Sequence, residues 1–335
     1  MTFQSESQFN IKPINTSSQE PLVSVLIPTY NRPAYLKAAI TSAVEQTYQN
    51  IEILVADDFS PESPQPIVDA FQDSRIIFRH NATNLGMIRN IGSIFKEARG
   101  KYVAHLNDDD LWNPDFLEKL VPPLEANPDL ALAFCDHYIV DEEGRINYPE
   151  TETCTKTNHR DRLQEGVYQP FCQLAIVESA VAPACAAVIR KTSLDWDEIP
   201  IEVGGLWDAY INYLCCRSGR GAYYYPERLT RYRVHTQSYT YSYSKKDVET
   251  NIRKEQCEIF SYSRFMADDR LKDLKPHFQK RWARAMTSVG INLLRANRTA
   301  EARPYLWKAL GQNPSLRTLA ALTLSFTPHA LASRF

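Results

Sequence analysis

Residues 100–120 read GKYVAHLNDDDLWNPDFLEKL, and this stretch decides the fold class. Gly100 ends the preceding segment, Tyr102–Leu106 is an apolar run of strand length, Asn107-Asp108-Asp109-Asp110 closes it, and Pro114 opens a helical segment. A strand that ends in carboxylates and leads into a helix is half of a crossover unit, so the flanking sequence should alternate in the same way. Upstream, Leu22–Ile27 is a short apolar run stopped by Pro28-Thr29-Tyr30-Asn31-Arg32-Pro33, after which Leu36, Ile40 and Val44 recur at helical spacing. Ile51–Ala56 is a second strand ending in Asp57-Asp58; a helix around Ile67–Phe71, a third strand at Ile76–Arg79 and a helix over Ile88–Ala98 follow. Downstream, Leu130–Cys135 completes the unit. The pattern predicts an α/β fold, a mostly parallel twisted sheet with helices on both faces.

Residues 141–165 are polar and read as a loop, Val167–Ser244 is mixed, and the chain beyond Lys245 is helical in pattern. Within that last part, Ala285–Ser315 resembles one tetratricopeptide-type helix pair, with Gly290, Leu294, Ala302, Leu306, Ala309 and Pro314 in suitable places. One copy cannot stand alone and should pack on the main domain. The expected organisation is a flexible polar tail over 1–20, an α/β domain over 21–245 and a helical extension over 246–335.

With 335 residues, 44% of them hydrophobic and 23% charged, the chain can bury a core and is not a disordered protein. A net charge of −2, from 38 basic and 40 acidic residues, gives no global reason to expect a nucleic-acid partner. The charge is unevenly placed: residues 246–335 hold 16 basic and 8 acidic side chains, leaving a net −10 on residues 1–245. The seven cysteines form no CxxC pair and read as ordinary thiols of a reducing compartment, with neither a disulfide framework nor a structural zinc site. The first residues lack a basic start followed by an apolar run, and no run of about 20 apolar residues is uninterrupted, so the expectation is a cytoplasmic protein without a signal peptide or membrane span.

Two of the inferred strands end in acidic clusters, at the sheet edge where open parallel sheets bind ligands. Three adjacent carboxylates repel and titrate upward unless a cation compensates them. A divalent Mg²⁺ or Mn²⁺ would do so, with phosphate oxygens and water completing its shell. A solvated acidic turn ahead of a helix is the alternative. Asp57-Asp58 could accept hydrogen bonds from a base or ribose, with Pro28–Tyr30 offering backbone and an aromatic face, although Asp-Asp also makes an ordinary turn. Arg89 follows Asn84-Leu85-Gly86 near a helix start, where its fork suits a diphosphate; a plain surface arginine is the alternative.

Four segments in this order, VSVLIPTYNRP (23–33), EILVADDFS (52–60), NLGMIRNIG (84–92) and GKYVAHLNDDDLWNPDFLEKL (100–120), resemble the inverting family 2 glycosyltransferases of the GT-A fold. The likeness is strong over residues 22–136 and extends more weakly to about residue 240. It implies a nucleotide-diphosphate sugar donor, by default a UDP-sugar, and a divalent cation. By this likeness Pro28, Tyr30, Asp57 and Asp58 would hold base and ribose, Arg89 would lie by the diphosphate, and Asn107-Asp108-Asp109 would stand in the family's DXD position, with Asp109 as metal ligand. The first acidic position of that motif is Asn107 here, which leaves Asp108 to take ribose or metal-water contacts. GGLWD (204–208) and the following helical segment resemble the part that supplies the base, which makes Asp208 the candidate; helix capping is its other reading. His235 resembles a histidine near the metal or diphosphate, and a structural histidine is equally consistent. Trp112 and Trp207 would line a sugar or acceptor pocket or simply pack.

From Ala302 to Phe335 there are four basic and no acidic residues, and the last section, LRTLAALTLSFTPHALASRF, is apolar. Peripheral contact with the inner face of an anionic membrane would explain both features and would suit a glycan or lipid-linked acceptor; a last helix docked on the core would also. Two other functions stay open. A sugar nucleotidyltransferase would want a Gly/Lys-rich phosphate loop, which PTYNRP is not. A non-catalytic scaffold would make the acidic clusters incidental.

Overall fold

The computed structural model describes residues 20–181, 184–195, 197, 199–236 and 247–327. The tail expected over 1–20 lies outside the described residues except for Glu20, as does the end of the basic apolar section from residue 328, Arg334 included. The chain runs β1 (Val23–Thr29), α1 (Pro33–Val44), β2 (Ile51–Asp57), α2 (Gln65–Asp69), β3 (Ile76–His80), α3 (Met87–Glu97), β4 (Tyr102–His105), β5 (Leu111–Trp112), α4 (Phe116–Ala126), β6 (Leu130–Val140), α5 (Tyr148–Thr157), β7 (Gly166–Tyr168), β8 (Ala187–Arg190), α6 (Trp207–Arg217) and β9 (Gly221–Arg233). Four helices close the described part: α7 (Val248–Ala267), α8 (Lys275–Arg295), α9 (Thr299–Gln312) and α10 (Leu316–Leu324).

The sheet has the order β3-β2-β1-β4-β8-β6-β9-β5, with β7 beside β9. β3, β2, β1 and β4 are parallel, and register sets Thr29 opposite Asp57 and Leu26 opposite His105. The three chain segments leaving β1, β2 and β4 therefore emerge on one edge. β8 inserts antiparallel between β4 and β6, while β9 runs parallel to β6.

Strands buried on both faces need helices on both sides. One face is covered by α1 and α4, through Leu36, Ile40, Phe116, Leu120 and Leu124; the other by α3 and α6, through Ile91, Ile94, Phe95, Ile211 and Leu214. Each such side chain contributes about 1.5–3 kcal/mol on burial. Tyr262, Phe265 and Phe278 share this second core with Tyr210 and Tyr213, so α7 and α8 are docked on the α/β domain. α8 and α9 pack against each other through Val289, Leu293, Ala302 and Leu306.

Residues 141–165 are not a loop. They hold α5, whose N-terminus is capped by Asn147 Oδ1 accepting from the Glu150 amide at 3.2 Å. The helix has no apolar stripe because it docks through threonines. Thr151 Oγ1 accepts from the Ile139 amide at 2.9 Å, and the Thr155 hydroxyl donates to Asp136 Oδ2 at 2.7 Å. The strand expected over Leu130–Cys135 likewise continues to Val140, passing bulges on either side of Asp136 while β9 keeps it paired.

Candidate active site

The run Asn107–Asp110 leaves the end of β4 and divides into two pairs. Asn107 and Asp110 face inward: Asn107 Oδ1 lies 2.8 Å from His105 Nε2, and its amide donates to Asp110 Oδ2 at 2.7 Å. Asp110 Oδ1 accepts from the Arg233 backbone amide at 2.9 Å, fixing the end of β9 against this turn. An aspartate at 107 would set a second carboxylate against the buried Asp110, whereas asparagine can donate to it, which accounts for the departure from the acidic pattern. Burial, then the Asp109 charge, push Asp110 up to about 7, and burial holds His105 down to about 4 and hence neutral.

Asp108 and Asp109 turn towards Arg32. Asp108 Oδ2 accepts from the Thr29 hydroxyl at 2.8 Å, and Arg32 Nη1 donates to Asp108 Oδ1 at 3.1 Å and to Asp109 Oδ2 at 2.8 Å. His235 Nε2 lies 2.9 Å from the same Asp109 oxygen, and the imidazole packs on Tyr35 with centroids 4.9 Å apart. Burial and the adjacent Asp109 push Asp108 up to about 7, against the pull of Arg32. Arg233 braces the turn: Nε donates to the Asp109 carbonyl at 2.8 Å, and Nη1 to the carbonyls of Asp141 at 3.0 Å and Glu142 at 2.8 Å.

On the β2 side, Asp57 is fully buried and points into the protein, accepting from the Ser60 amide at 3.1 Å with His80 Nδ1 2.5 Å away. Asp58 Oδ1 accepts from the Leu85 amide at 2.7 Å and Asn81 Nδ2 at 3.0 Å, and Oδ2 from the Gly86 amide at 2.9 Å. Both carboxylates thus organise the loops that leave β2 and enter α3. Asp58 in particular fixes the turn at Gly86, with φ of 81°, from which α3 starts and on whose first turn Arg89 stands exposed. The surface left open here is aromatic: Tyr30 is 48% and Phe59 49% exposed, and Pro28, near the end of β1, is half-buried.

Asp208 lies in the first turn of α6, where its Oδ1 accepts from the Ala209 amide at 2.7 Å, and burial raises its carboxyl above the ordinary range. Among the described residues no hydrogen bond joins it to Asp108, Asp109 or His235. Its neighbour Trp207 stands edge-on to His105 with centroids 4.5 Å apart, which brings the start of α6 to the end of β4. Trp207 and Trp112 are both core residues. Trp112 stacks on Phe116 at 4.4 Å and donates Nε1 to the Cys185 carbonyl at 2.7 Å, so neither indole is an open pocket wall.

Asp109, Asp108 and His235 supply carboxylate oxygens and an imidazole nitrogen, a donor set that suits Mn²⁺ or Mg²⁺ when phosphate oxygens and water complete the shell. The Arg32 guanidinium already seated between the two carboxylates shows that the cluster accepts a cation. Among the described residues no group of three or more His, Cys, Asp or Glu side chains is arranged to hold a metal ion by itself, so Asp108, Asp109 and His235 would need further ligands to do so.

Arg32, Arg233 and Thr29 carry this geometry without having been assigned a part from the sequence, although PTYNRP and the YRVH ending at His235 contain them. A second buried charge cluster was not legible at all. Asp136 Oδ1 accepts from Arg160 Nε at 2.7 Å and Oδ2 from Arg228 Nε at 3.3 Å. Burial pushes this carboxyl upward, but the Arg160 charge and the Thr155 hydroxyl hold it below the ordinary range.

Residues 24–181 match the family model described as glycosyl transferase family 2. An uncharacterized glycosyltransferase of Haemophilus influenzae is 28% identical over 251 residues, covering 72% of this chain and 74% of that protein. One of Methanocaldococcus jannaschii is 40% identical over 131 residues, 38% of this chain and 45% of that one, and one of Rickettsia prowazekii is 32% identical over 195 residues, 58% and 55%. The chain thus spans about half the length of the last two relatives. In three dimensions it is similar to S. aureus TarS in complex with UDP-GlcNAc, at TM-score 0.63, 13% identity and coverage of 93% of this chain and 91% of that one. It is also similar to the mannosyltransferase PcManGT from Pyrobaculum calidifontis in complex with GDP-Man and Mn²⁺, at TM-score 0.58, 16% identity and coverage of 95% and 87%. Residues 24–181, in which two of the parallel strands end in acidic clusters, thus match glycosyl transferase family 2, and the chain has a GT-A fold.

Proposed function

We propose that the protein transfers a sugar from a nucleotide-diphosphate donor, a UDP-sugar, to a hydroxyl of a glycan or lipid-linked acceptor with inversion at the anomeric carbon. The observation that carries this reading is the convergence of Asp108, Asp109 and His235 with the loops leaving β1 and β2 on one sheet edge. Pro28, Tyr30 and the loops held by Asp57 and Asp58 receive base and ribose, and Arg89 faces the diphosphate from the first turn of α3. Asp109 and His235 would hold a divalent cation, which would supply positive charge to the leaving diphosphate. Asp208 takes the proton of the acceptor hydroxyl as that oxygen attacks the anomeric carbon; the new carbon–oxygen bond forms as the bond to the diphosphate breaks on the opposite face. Burial favours this role, because a carboxylate of raised basicity is a better base near neutral pH.

Peripheral contact with an anionic bilayer at the inner face of a membrane belongs to the same reading. Leu316 is 86% exposed, Trp307, Leu319 and Phe326 are also exposed, and Arg303, Lys308 and Arg317 stand among them. Among the described residues no helix is long and apolar enough to cross a membrane.

The test is calorimetric titration with UDP, with and without Mn²⁺, on the wild type, Asp109→Ala and Asp208→Asn. Mn²⁺-dependent UDP binding lost in Asp109→Ala supports the donor site, and Asp208→Asn should bind UDP normally while losing about 10²–10⁴-fold in turnover once a donor and acceptor are found. Absence of UDP, GDP and dTDP binding would sink the reading.

A further inference from the structure

We propose that Arg32 is the resident counter-cation of the donor site, which a divalent metal must displace, so that Arg32 sets the metal affinity of the cluster. The inference rests on the donor-site reading above. One guanidinium nitrogen bridges Asp108 Oδ1 at 3.1 Å and Asp109 Oδ2 at 2.8 Å, and that second oxygen also faces His235 Nε2. Asp109 Oδ2 and His235 Nε2 are therefore the atoms through which these two residues would hold a metal. The two carboxylate side chains are only 7% and 13% exposed, so the guanidinium attraction is screened much less than at an open surface. The Arg32 side chain itself is 24% exposed, which leaves it a route into water.

Its place on the chain argues against an ordinary capping or surface role. Arg32 is the N-cap residue of α1 and makes no side-chain capping bond, so its cation sits at the positive end of a helix dipole. Asp108 and Asp109 offset that unfavourable placement. The backbone around it is pinned: the Asn31 amide donates to Ser60 Oγ at 2.7 Å, and Pro33 follows. Displacement thus requires a rotation of the Arg32 side chain and no movement of the loop.

Before a metal arrives, Arg32 relieves repulsion between adjacent carboxylates. When one arrives, the same interaction opposes it, and the apparent metal affinity is reduced by competition. Removing the charge should tighten metal binding, whereas a residue that merely shaped the site would weaken it when lost.

The experiment is Mn²⁺ titration of the full chain, followed by electron paramagnetic resonance of the free ion, on the wild type, Arg32→Gln, Arg32→Lys and Asp109→Ala. Arg32→Gln should bind Mn²⁺ about tenfold more tightly and show a larger Mn²⁺-induced rise in melting temperature. Arg32→Lys, which keeps a charge, should stay near the wild type. Arg32→Met serves if the glutamine variant does not fold. Unchanged or weaker Mn²⁺ binding in the neutral variant, with binding to the wild type still abolished by Asp109→Ala, overturns the role of Arg32 and leaves the donor-site reading intact. Failure of the wild type and the neutral variant to bind Mn²⁺, with or without UDP, overturns both.

Discussion

Replacing Arg233 by methionine tests how the site is held. The guanidinium donates three hydrogen bonds to main-chain carbonyls, of Asp109 at 2.8 Å, Asp141 at 3.0 Å and Glu142 at 2.8 Å, and lies over the Tyr35 ring at 5.0 Å. A hydrogen bond with a charged partner is worth about 1.5–3 kcal/mol, so three would suggest about 4.5–9. Two of the acceptors belong to Asp141 and Glu142, which stand near water and can be rehydrated, whereas the Asp109 carbonyl lies beneath the buried turn. Methionine keeps most of the stem volume, so packing loss is small. The expected loss is about 3–4 kcal/mol. The substitution also frees the end of β9 two residues before His235, so UDP affinity should fall together with stability. Urea denaturation gives the first quantity and UDP calorimetry the second. A variant that loses under 1 kcal/mol and binds UDP as the wild type does would show that Arg233 does not brace this turn.

What the sequence revealed and what it hid follow from which interactions leave a periodic trace. Leu36, Ile40 and Val44, or Ile91 and Ile94, repeat because each meets a sheet face, and the strands between them are continuous apolar runs because both faces are covered. Hence the α/β order could be read over residues 22–136. α5 could not, since Thr151 and Thr155 dock it by hydroxyl bonds to the strand and repeat no apolar residue. The acidic run at 107–110 was visible, but its division was not: a string of letters does not say that Asp110 is held by the amide of Arg233, 123 positions away, while Asp108 turns to Arg32. The pairing of Asp136 with Arg160 and Arg228 is equally silent, because buried ion pairs between distant segments have no characteristic spacing. Asp57 shows the reverse case: its position at a strand end invited a ligand contact, and the side chain is fastened inward by Ser60 and His80.

Two further expectations concern the helical extension. Burial, and then the neighbouring Glu258, raise Glu255 on α7 from its ordinary 4.5 to about 7, against the pull of Arg317 and Arg284. The folded state therefore prefers the protonated form: no penalty exists below pH 4.5, stability falls as pH rises through 7, and it is level above that. The full shift would correspond to about 3 kcal/mol, which solvent screening at this half-buried site reduces to about 1–2. Glu255→Gln should be more stable than the wild type at pH 8 and equal to it at pH 4; urea midpoints that keep the same pH slope in both proteins would refute the assignment. At Gly290 on α8, an alanine Cβ would come within 2.6 Å of Leu306 Cγ and Cδ2 on α9. Two effects of opposite sign then compete, because alanine favours a helix interior by about 1 kcal/mol over glycine, while overpacking a close contact costs about 1–3. Leu306 is fully buried and cannot swing aside into water, so the contact cost wins and α9 must shift away from α8, lowering the melting temperature of Gly290→Ala. Leu306→Ala in the Gly290→Ala background opens room for the new methyl, so the double variant should lose less than the two single losses added together. Strict additivity, or a Gly290→Ala protein more stable than the wild type, would mean that the two helices are not in close contact at Gly290.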